Sequence, residues 1–439
     1  MSRTLRWYCA ILCCGAVFGG AAPAQALSNE AFQALHTFSR VLHDIANYYV
    51  EPVDEERLVE GALQGMLEAL DPHSAYLEPQ VYKALRSETG GRFSGVGIEI
   101  TLKQGWITVV SPIDGSPAAR AGIKPGDRIV KINGKSTKQM NIGDAVKVMR
   151  GSQGSKVVLT VVRVGSRTPT DVALRRERIQ VLSVRSEMLA PGYPYIRLTG
   201  FQEQTYEDLL AALREAAKPG PIRGLVLDLR NNPGGLLEQA VAVSDLFIRD
   251  GVILTTVSRG KEVDRREAHG SGTEPEYPIV ILVNGGSASA AEIVAGALQD
   301  HNRALVIGSQ TFGKGSVQTV IEMDDGSALK LTVARYYTPS KRSIQAFGIP
   351  PDVNVPEASP QAAAKAESGE EKTAPLTEAS LPGHLKGRGA HHKTRGAQRV
   401  RLPEVQMKPG DIDYQRAVAL ALLENGTAAR LTGRRGFHP

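Results

Sequence analysis

Ile279-Val-Ile-Leu-Val283, Asn284-Gly-Gly-Ser-Ala-Ser-Ala-Ala-Glu292 and Ile293-Val-Ala-Gly-Ala-Leu298 follow one another without a break, and the three pieces favour different structures. The first is a short apolar run rich in β-branched residues, which reads as a strand buried on both faces. The second opens on Asn-Gly-Gly, the chemistry of a tight turn. From Ala291 the apolar residues fall at helical spacing. Ser289 therefore sits where a strand turns sharply into a helix, exposed at a sheet end and close to the positive pole of the helix. The same letters also spell a capping box, in which Ser289 and Glu292 would satisfy the first-turn N–H groups. Local pattern alone leaves both readings open.

A second apolar strand, Ala304-Leu-Val-Ile307, leads into Thr311-Phe-Gly-Lys-Gly-Ser-Val-Gln318, a glycine-flanked loop that presents one lysine. Lysine can serve as a base if burial lowers its proton affinity enough to make it neutral near pH 7. A phosphate-binding loop is the competing reading. It fails at the last position, because Gly315 follows Lys314 where G-x-x-x-x-G-K-[ST] requires a serine or threonine.

Together these two motifs resemble the active-site pair of the carboxyl-terminal processing peptidases, also called tail-specific proteases, the Ser/Lys-dyad serine proteases of peptidase family S41. The resemblance implies that Ser289, the second serine of Ser-Ala-Ser, is the nucleophile. It implies Lys314, 25 residues further on, as the base, and Gln318 in the following strand as the holder of the lysine amine.

The chain has 439 residues, room for two or three domains, and an ordinary globular composition. Residues 1–26 combine a basic start, an apolar middle and Ala24-Gln-Ala26, the pattern of a secretory signal peptide. Its removal takes away Arg3 and Arg6 and leaves a net charge of +4, too little to argue for nucleic acid. All three cysteines lie inside this segment, so the mature chain would have neither disulfides nor thiolate chemistry. Uncleaved, the segment would anchor the protein. The expected location is the periplasm or bacterial envelope, with membrane association if the anchor is kept.

Residues 27–85 read as an N-terminal helical region, with Phe32, Leu35, Phe38, Leu42, Ile45 and Tyr49 at helical spacing. Asp71, His73 and Ser74 lie too close along the chain to converge as a triad, and a structural turn is expected there. Residues 86–165 turn to short strands with one helix, Ile142 to Met149. Ser116-Pro-Ala-Ala-Arg-Ala-Gly-Ile-Lys-Pro-Gly-Asp-Arg-Ile-Val-Lys-Ile-Asn-Gly134 resembles the PDZ signature. A PDZ module binds an extended chain end by β-augmentation. The resemblance implies Gly95-Val96-Gly97-Ile98 as the loop that captures the terminal carboxylate. It also implies Arg150 as a regulatory residue coupling occupancy to the active site, though a helix-end charge would look the same.

Residues 166–356 read as a mixed α/β core. Leu225-Val-Leu-Asp-Leu229, Arg230-Asn-Asn-Pro-Gly-Gly235 and an apolar-striped helix from Leu236 to Phe247 form a second strand-turn-helix unit. The resemblance implies an oxyanion hole from the N–H groups of Gly235 and Ala290. Asp324-Asp-Gly326 signals a hairpin between Ser316–Ile321 and Ala328–Ala334. Lys341 stands where the family commonly has glycine, which puts the local turn in question. Residues 357–403, without apolar periodicity, are expected to be a disordered linker, with His391 and His392 too isolated to bind metal. Residues 404–439 carry a last helix, Ile412 to Glu424, capped by Asp411 and suited to dock on the core or on another subunit.

The expected fold is therefore α/β and multidomain: N-terminal helical region, PDZ domain, mixed α/β serine protease core, and a C-terminal helix after a disordered linker. The expected activity is that of a secreted serine endopeptidase acting on envelope proteins with exposed C-termini, with no metal or organic cofactor. An adaptor protein and a homo-oligomer are the further expected partners. The alternatives are a non-catalytic PDZ adaptor or chaperone on a degenerate protease fold and, by fold analogy alone, a hydratase- or isomerase-like enzyme.

Overall fold

A computed structural model describes residues 28–433 apart from 104, 114, 139, 164–167, 181, 358–376, 388–401, 404 and 406–412. The expected signal peptide lies outside the described residues. The chain divides into two compact units, one up to Leu63 and one from Gln64. In the first unit α1 (Asn29–Tyr48) is capped by Ser28, whose hydroxyl accepts the Ala31 N–H, and α1 buries none of its residues. Its expected apolar stripe thus stands open, with Phe32 67% exposed. α2 (Glu55–Glu68) spans the boundary. No helix among the described residues is long and apolar enough to cross a membrane.

The second unit begins with β1 (Ala75–Leu77) and α3 (Pro79–Thr89). The PDZ-like module follows as β2 (Arg92–Gly95), β3 (Ile98–Lys103), β4 (Trp106–Pro112), α4 (Pro117–Arg120), β5 (Arg128–Ile132), β6 (Lys135–Ser136), α5 (Ile142–Met149), β7 (Lys156–Val162), β8 (Thr170–Arg175) and β9 (Glu177–Gln180). Its sheet runs β3-β4-β5-β7-β8 with β6 on β5, and β2 pairs with β9. The module continues past the expected boundary at residue 165, because β8 pairs antiparallel with β7 from Lys156↔Arg175 to Val161↔Thr170. Leu174, buried on β8, joins the core of Ile107, Ile129, Ile132 and Leu159.

The core comprises β10 (Val184–Ala190), β11 (Tyr193–Leu198), α6 (Thr205–Ala217), β12 (Leu225–Asp228), α7 (Leu237–Asp245), β13 (Val252–Ser258), β14 (Lys261–Glu267), β15 (Ile279–Val283), α8 (Ala290–Asp300), β16 (Ala304–Gly308), β17 (Ser316–Glu322), β18 (Ala328–Tyr337) and β19 (Val353–Asn354). After it come α9 (Tyr414–Glu424) and α10 (Thr427–Leu431). The main sheet runs β10-β11-β12-β15-β16-β19 and is parallel from β11 onward. Strand alternation divides its side chains between two layers. Ile279, Ile281 and Val283 face the layer built by α6, α7 and α8, whereas Val280 and Leu282 face Val418 and Leu422 of α9. Burial on both faces is why β15 is apolar at every position.

The last helix thus docks on the core. It starts later than expected, and its N-cap is Asp413, whose carboxylate accepts the Arg416 N–H at 3.1 Å; Asp411 and Ile412 lie outside the described residues. Asp413 is further held by Arg230 of the core, an anchor reached only through the fold. A second sheet, β1-β18-β13-β14 with β17 on β18, contains the expected hairpin and takes in β1, which follows the expected turn of the N-terminal helical region. Residues 377–387 depart from the expected disordered linker. Glu378–Ser380 form a 3-10 turn, and Glu378 is completely buried. Lys341 adopts φ +63°, the left-handed conformation that favours glycine, yet the turn closes with the Lys341 N–H on the Thr338 carbonyl.

Candidate active site

In open α/β sheets sites form at the carboxyl ends of the strands. β12, β15 and β16 are parallel neighbours, so the three loops that leave them emerge at one sheet edge. These loops carry Asn-Pro-Gly-Gly235, Ser289 and Lys314. Side-chain hydrogen bonds tie the first to the second. Asn284 accepts the Asn231 N–H at 2.9 Å and donates to the Asn231 carbonyl oxygen of the side chain at 3.0 Å. Ser287 donates to the Leu229 carbonyl at 2.8 Å and accepts the Asn284 N–H at 3.0 Å. Ser287, fully buried and with its hydroxyl occupied, is a structural serine. That leaves Ser289 as the candidate nucleophile of the run.

Ser289 has φ +53° and ψ −114°, a conformation a non-glycine residue holds only when its surroundings enforce it, at a cost of about 1–3 kcal/mol. Two restraints are visible. The Ser289 N–H donates to the Glu292 carboxylate at 2.9 Å, the glutamate half of the expected capping box, while the Glu292 N–H goes to the Ser289 carbonyl. On the other side Gly234, at φ +102°, packs so closely that an added Cβ would lie 2.8 Å from Ser289 Cβ and 3.0 Å from the Ala290 nitrogen. The Gly234 N–H is committed to Asn232 Oδ1 at 2.9 Å. The adjoining Gly235, at φ +142°, bridges Phe201 in the parallel sense, and through Gly234 the Asn-Pro-Gly-Gly turn lies against Ser289 and Ala290.

Glu292 does more than cap a helix. Its one carboxylate accepts four donors: the Ser289 and Lys314 N–H groups on Oε2, each at 2.9 Å, and the Gly313 N–H and Thr311 hydroxyl on Oε1. Two bonds to a single atom hold the Ser289 and Lys314 nitrogens within twice that length of each other. Burial pushes the Glu292 carboxyl up to about 7, although its four donors pull the other way. The capping-box letters signalled this residue, but nothing in sequence signalled the link from Glu292 to a loop 19 to 22 residues later.

Burial lowers the proton affinity of the Lys314 amine, and nearby Lys330 adds to that effect; Glu378, Asp71 and Glu292 oppose it. An amine whose proton affinity is lowered in this way can act as a base. Gln318 directs its amide nitrogen to Ser316 Oγ at 2.8 Å and to Thr332 Oγ1 at 3.4 Å; its amide oxygen is the atom able to receive an amine. Asp71, His73 and Ser74 form the expected turn. The Asp71 carboxylate accepts the His73 and Ser74 N–H groups, the Ser74 hydroxyl and the Thr332 hydroxyl. Burial alone would raise its pKa, but these bonds bring it below the usual carboxylate range.

In the PDZ-like module Gly95-Val96-Gly97-Ile98 joins β2 to β3. Val96 is buried and its carbonyl accepts the Ala118 N–H, while the Gly97 carbonyl takes the Ser116 hydroxyl and the Ile113 N–H. β3 and α5 flank the expected groove. The Arg150 guanidinium lies 4.9 Å from the Phe93 ring centroid, beside this loop. Sequence reasoning missed buried Arg176, which donates to the Val148 and Met149 carbonyls at the end of α5 and fixes the helix that walls the groove.

Residues 192–355 match peptidase family S41, residues 108–163 a PDZ domain, and residues 20–81 the N-terminal domain of the activating protease CtpB. The chain is 44% identical over 372 residues to the carboxy-terminal-processing protease of Bartonella bacilliformis, covering 84% of each. It is 43% identical over 319 residues to the carboxy-terminal processing protease CtpA of Bacillus subtilis, covering 72% of this chain and 67% of that one. Among solved structures, the photosystem II D1 C-terminal processing protease shares 32% identity with a TM-score of 0.47 over 75% of this chain and 94% of that chain. Identity at this level across most of two relatives places the chain in peptidase family S41, as a carboxy-terminal processing serine protease with a PDZ domain.

Proposed function

We propose that Ser289 and Lys314 are the catalytic dyad and that the PDZ domain delivers C-terminal tails to them. The observation that carries this reading is the shared Glu292 oxygen, which brings the backbones of both residues to one point. Neutral Lys314 takes the Ser289 hydroxyl proton as the oxygen attacks the scissile carbonyl, and Gln318 steadies the amine. The Gly235 and Ala290 N–H groups receive the oxyanion, each contact worth about 3–4 kcal/mol where such donors have been removed. The protonated lysine returns its proton to the leaving amine, and water then releases the acyl-enzyme. The tail would add as a strand beside β3, its carboxylate held by Gly95-Val96-Gly97-Ile98, with Arg150 reporting occupancy.

Secretion by the 1–26 signal, a periplasmic or envelope setting and envelope-protein substrates belong to the same proposal. So do an adaptor and a homo-oligomer, for which the open apolar face of α1 offers a surface. Kinetics on an unstructured protein test the chemistry. Ser289→Ala and Lys314→Arg should both be inactive, since arginine stays protonated. The parent's activity should fall as pH drops through the lowered pKa of Lys314, because only the neutral amine is a base. Wild-type rates in either variant would remove that residue from the mechanism.

A further inference from the structure

Glu378 lies in a stretch without apolar periodicity, yet it is completely buried and its polar atoms are engaged. Its two carboxylate oxygens meet His73 Nε2 at 2.8 and 3.0 Å, and one of them accepts the Gln345 amide at 2.8 Å. Its backbone N–H donates to the Phe312 carbonyl at 3.0 Å. Gln345 also accepts the Gly315 N–H at 3.0 Å and donates to the Leu385 carbonyl at 3.0 Å. Glu378 therefore grips the Lys314 loop on both sides, directly two residues before the lysine and through Gln345 one residue after it. A buried carboxylate is retained only where partners compensate its desolvation, and here those partners come from segments about three hundred residues apart.

We propose that Glu378 is a positioning residue for Lys314, and that residues 377–387 form a strap whose seating both fixes the lysine loop and sets the pH at which the base works. The inference rests on the Ser/Lys reading above. The charged groups whose fields act on the amine are Lys330 from β18, Asp71 from the turn before β1, Glu292 from α8 and Glu378 from the strap. Lys330 favours the neutral amine and the three carboxylates favour the ammonium. Burial alone would raise the Glu378 pKa, but hydrogen bonds from His73 and Gln345 and the charges of His73 and Lys314 hold it below the usual range, so its negative charge persists through neutral pH.

The test compares pH profiles of kcat/KM for the full chain, Glu378→Gln, Glu378→Ala and Lys314→Arg on one unstructured protein substrate. Glu378→Gln keeps the shape and removes the charge, so the acid limb should move to lower pH. Glu378→Ala loses the grip as well, and kcat/KM should fall by about 10²-fold at the optimum, the scale of a small misplacement of a reacting group. A residue that merely supported the fold would lower the amplitude of Glu378→Gln and leave the limb where it was. That result, or an unchanged profile in both variants with Lys314→Arg inactive, overturns the proposal. Activity in Lys314→Arg would instead overturn the dyad beneath it.

Discussion

Glu292→Ala is the perturbation whose size the structure fixes best. The substitution takes the acceptor from three backbone N–H groups, the buried one of Gly313 and the part-buried ones of Ser289 and Lys314, and from the Thr311 hydroxyl. The hydroxyl can turn elsewhere and the amides cannot. At about 1–3 kcal/mol for each orphaned donor the loss is about 3–9 kcal/mol, against a total stability of order 5–15 kcal/mol. Glu292→Gln behaves differently. Its amide oxygen can keep the Ser289 and Lys314 N–H groups while its nitrogen faces Thr311, whose hydroxyl is able to accept; only the Gly313 N–H then meets a donor, a cost of about 1–3 kcal/mol.

Acid–base linkage adds a sign that can be read. Burial raises the folded-state pKa of Glu292 from an ordinary 4.5 to about 7. The folded state therefore binds the extra proton between those values, and the parent loses stability as pH rises through 7, by up to about 3 kcal/mol. Glutamine does not titrate. The deficit of Glu292→Gln should be largest near pH 5 and shrink by pH 8. Urea titrations of parent and both variants at the two pH values, with kcat/KM on the same samples, read stability and activity together. An alanine variant as stable and active as the parent would show that the carboxylate braces nothing. A glutamine deficit that grows with pH would show that the donors outweigh burial and that Glu292 is held ionised.

Two glycines give sharper local tests. Gly234→Ala sets a Cβ against Ser289 Cβ and the Ala290 nitrogen at a positive φ; kcat/KM should fall by about 10²-fold or more, with circular dichroism unchanged, and full activity would detach this turn from the proposed nucleophile. Gly97→Ala places a Cβ 2.3 Å from Ser116 Cβ at φ +73°. Strain of about 1–3 kcal/mol in the carboxylate loop should weaken binding of a C-terminal peptide about tenfold or more, measured by fluorescence anisotropy, and unaltered affinity would move the tail elsewhere.

Where local chemistry decided the structure, the sequence was informative. β15, the turn after it and α8 fall where a β-branched run, Asn-Gly-Gly and helical spacing placed them, and α5 matches its expected bounds, Ile142–Met149. β17 and β18 pair across the Asp-Asp-Gly turn. Where a long-range partner decided it, the sequence was silent. Nothing near Glu378 announces burial, because the groups that fix it, His73 and Gln345, belong to other segments. Ser287 and Ser289 differ little by letter, and only the Leu229 carbonyl beneath Ser287 separates a structural hydroxyl from a candidate nucleophile. The apolar stripe of α1 was correctly read as helical, but its spacing could not say that none of its residues would be buried among the described residues.

The Gly-Lys-Gly motif looks at first like a flexible, solvated loop, the wrong setting for an amine that must be neutral. The packing inverts that expectation. A Cβ at residue 315 would lie 2.3 Å from the Gln345 nitrogen, so glycine lets the loop press directly against the backbone of 344–345. The Lys314 N–H is fixed on Glu292 from the opposite side. Close backbone approach displaces water, and with water goes most of what favours an ammonium ion. Lys330 pushes in the same direction. Three carboxylates, contributed by residues 71, 292 and 378, then limit the fall. In the proposed dyad the glycines would thus act on the chemistry through dehydration, and the carboxylates by retaining enough proton affinity for the same amine to accept the serine proton and pass it on.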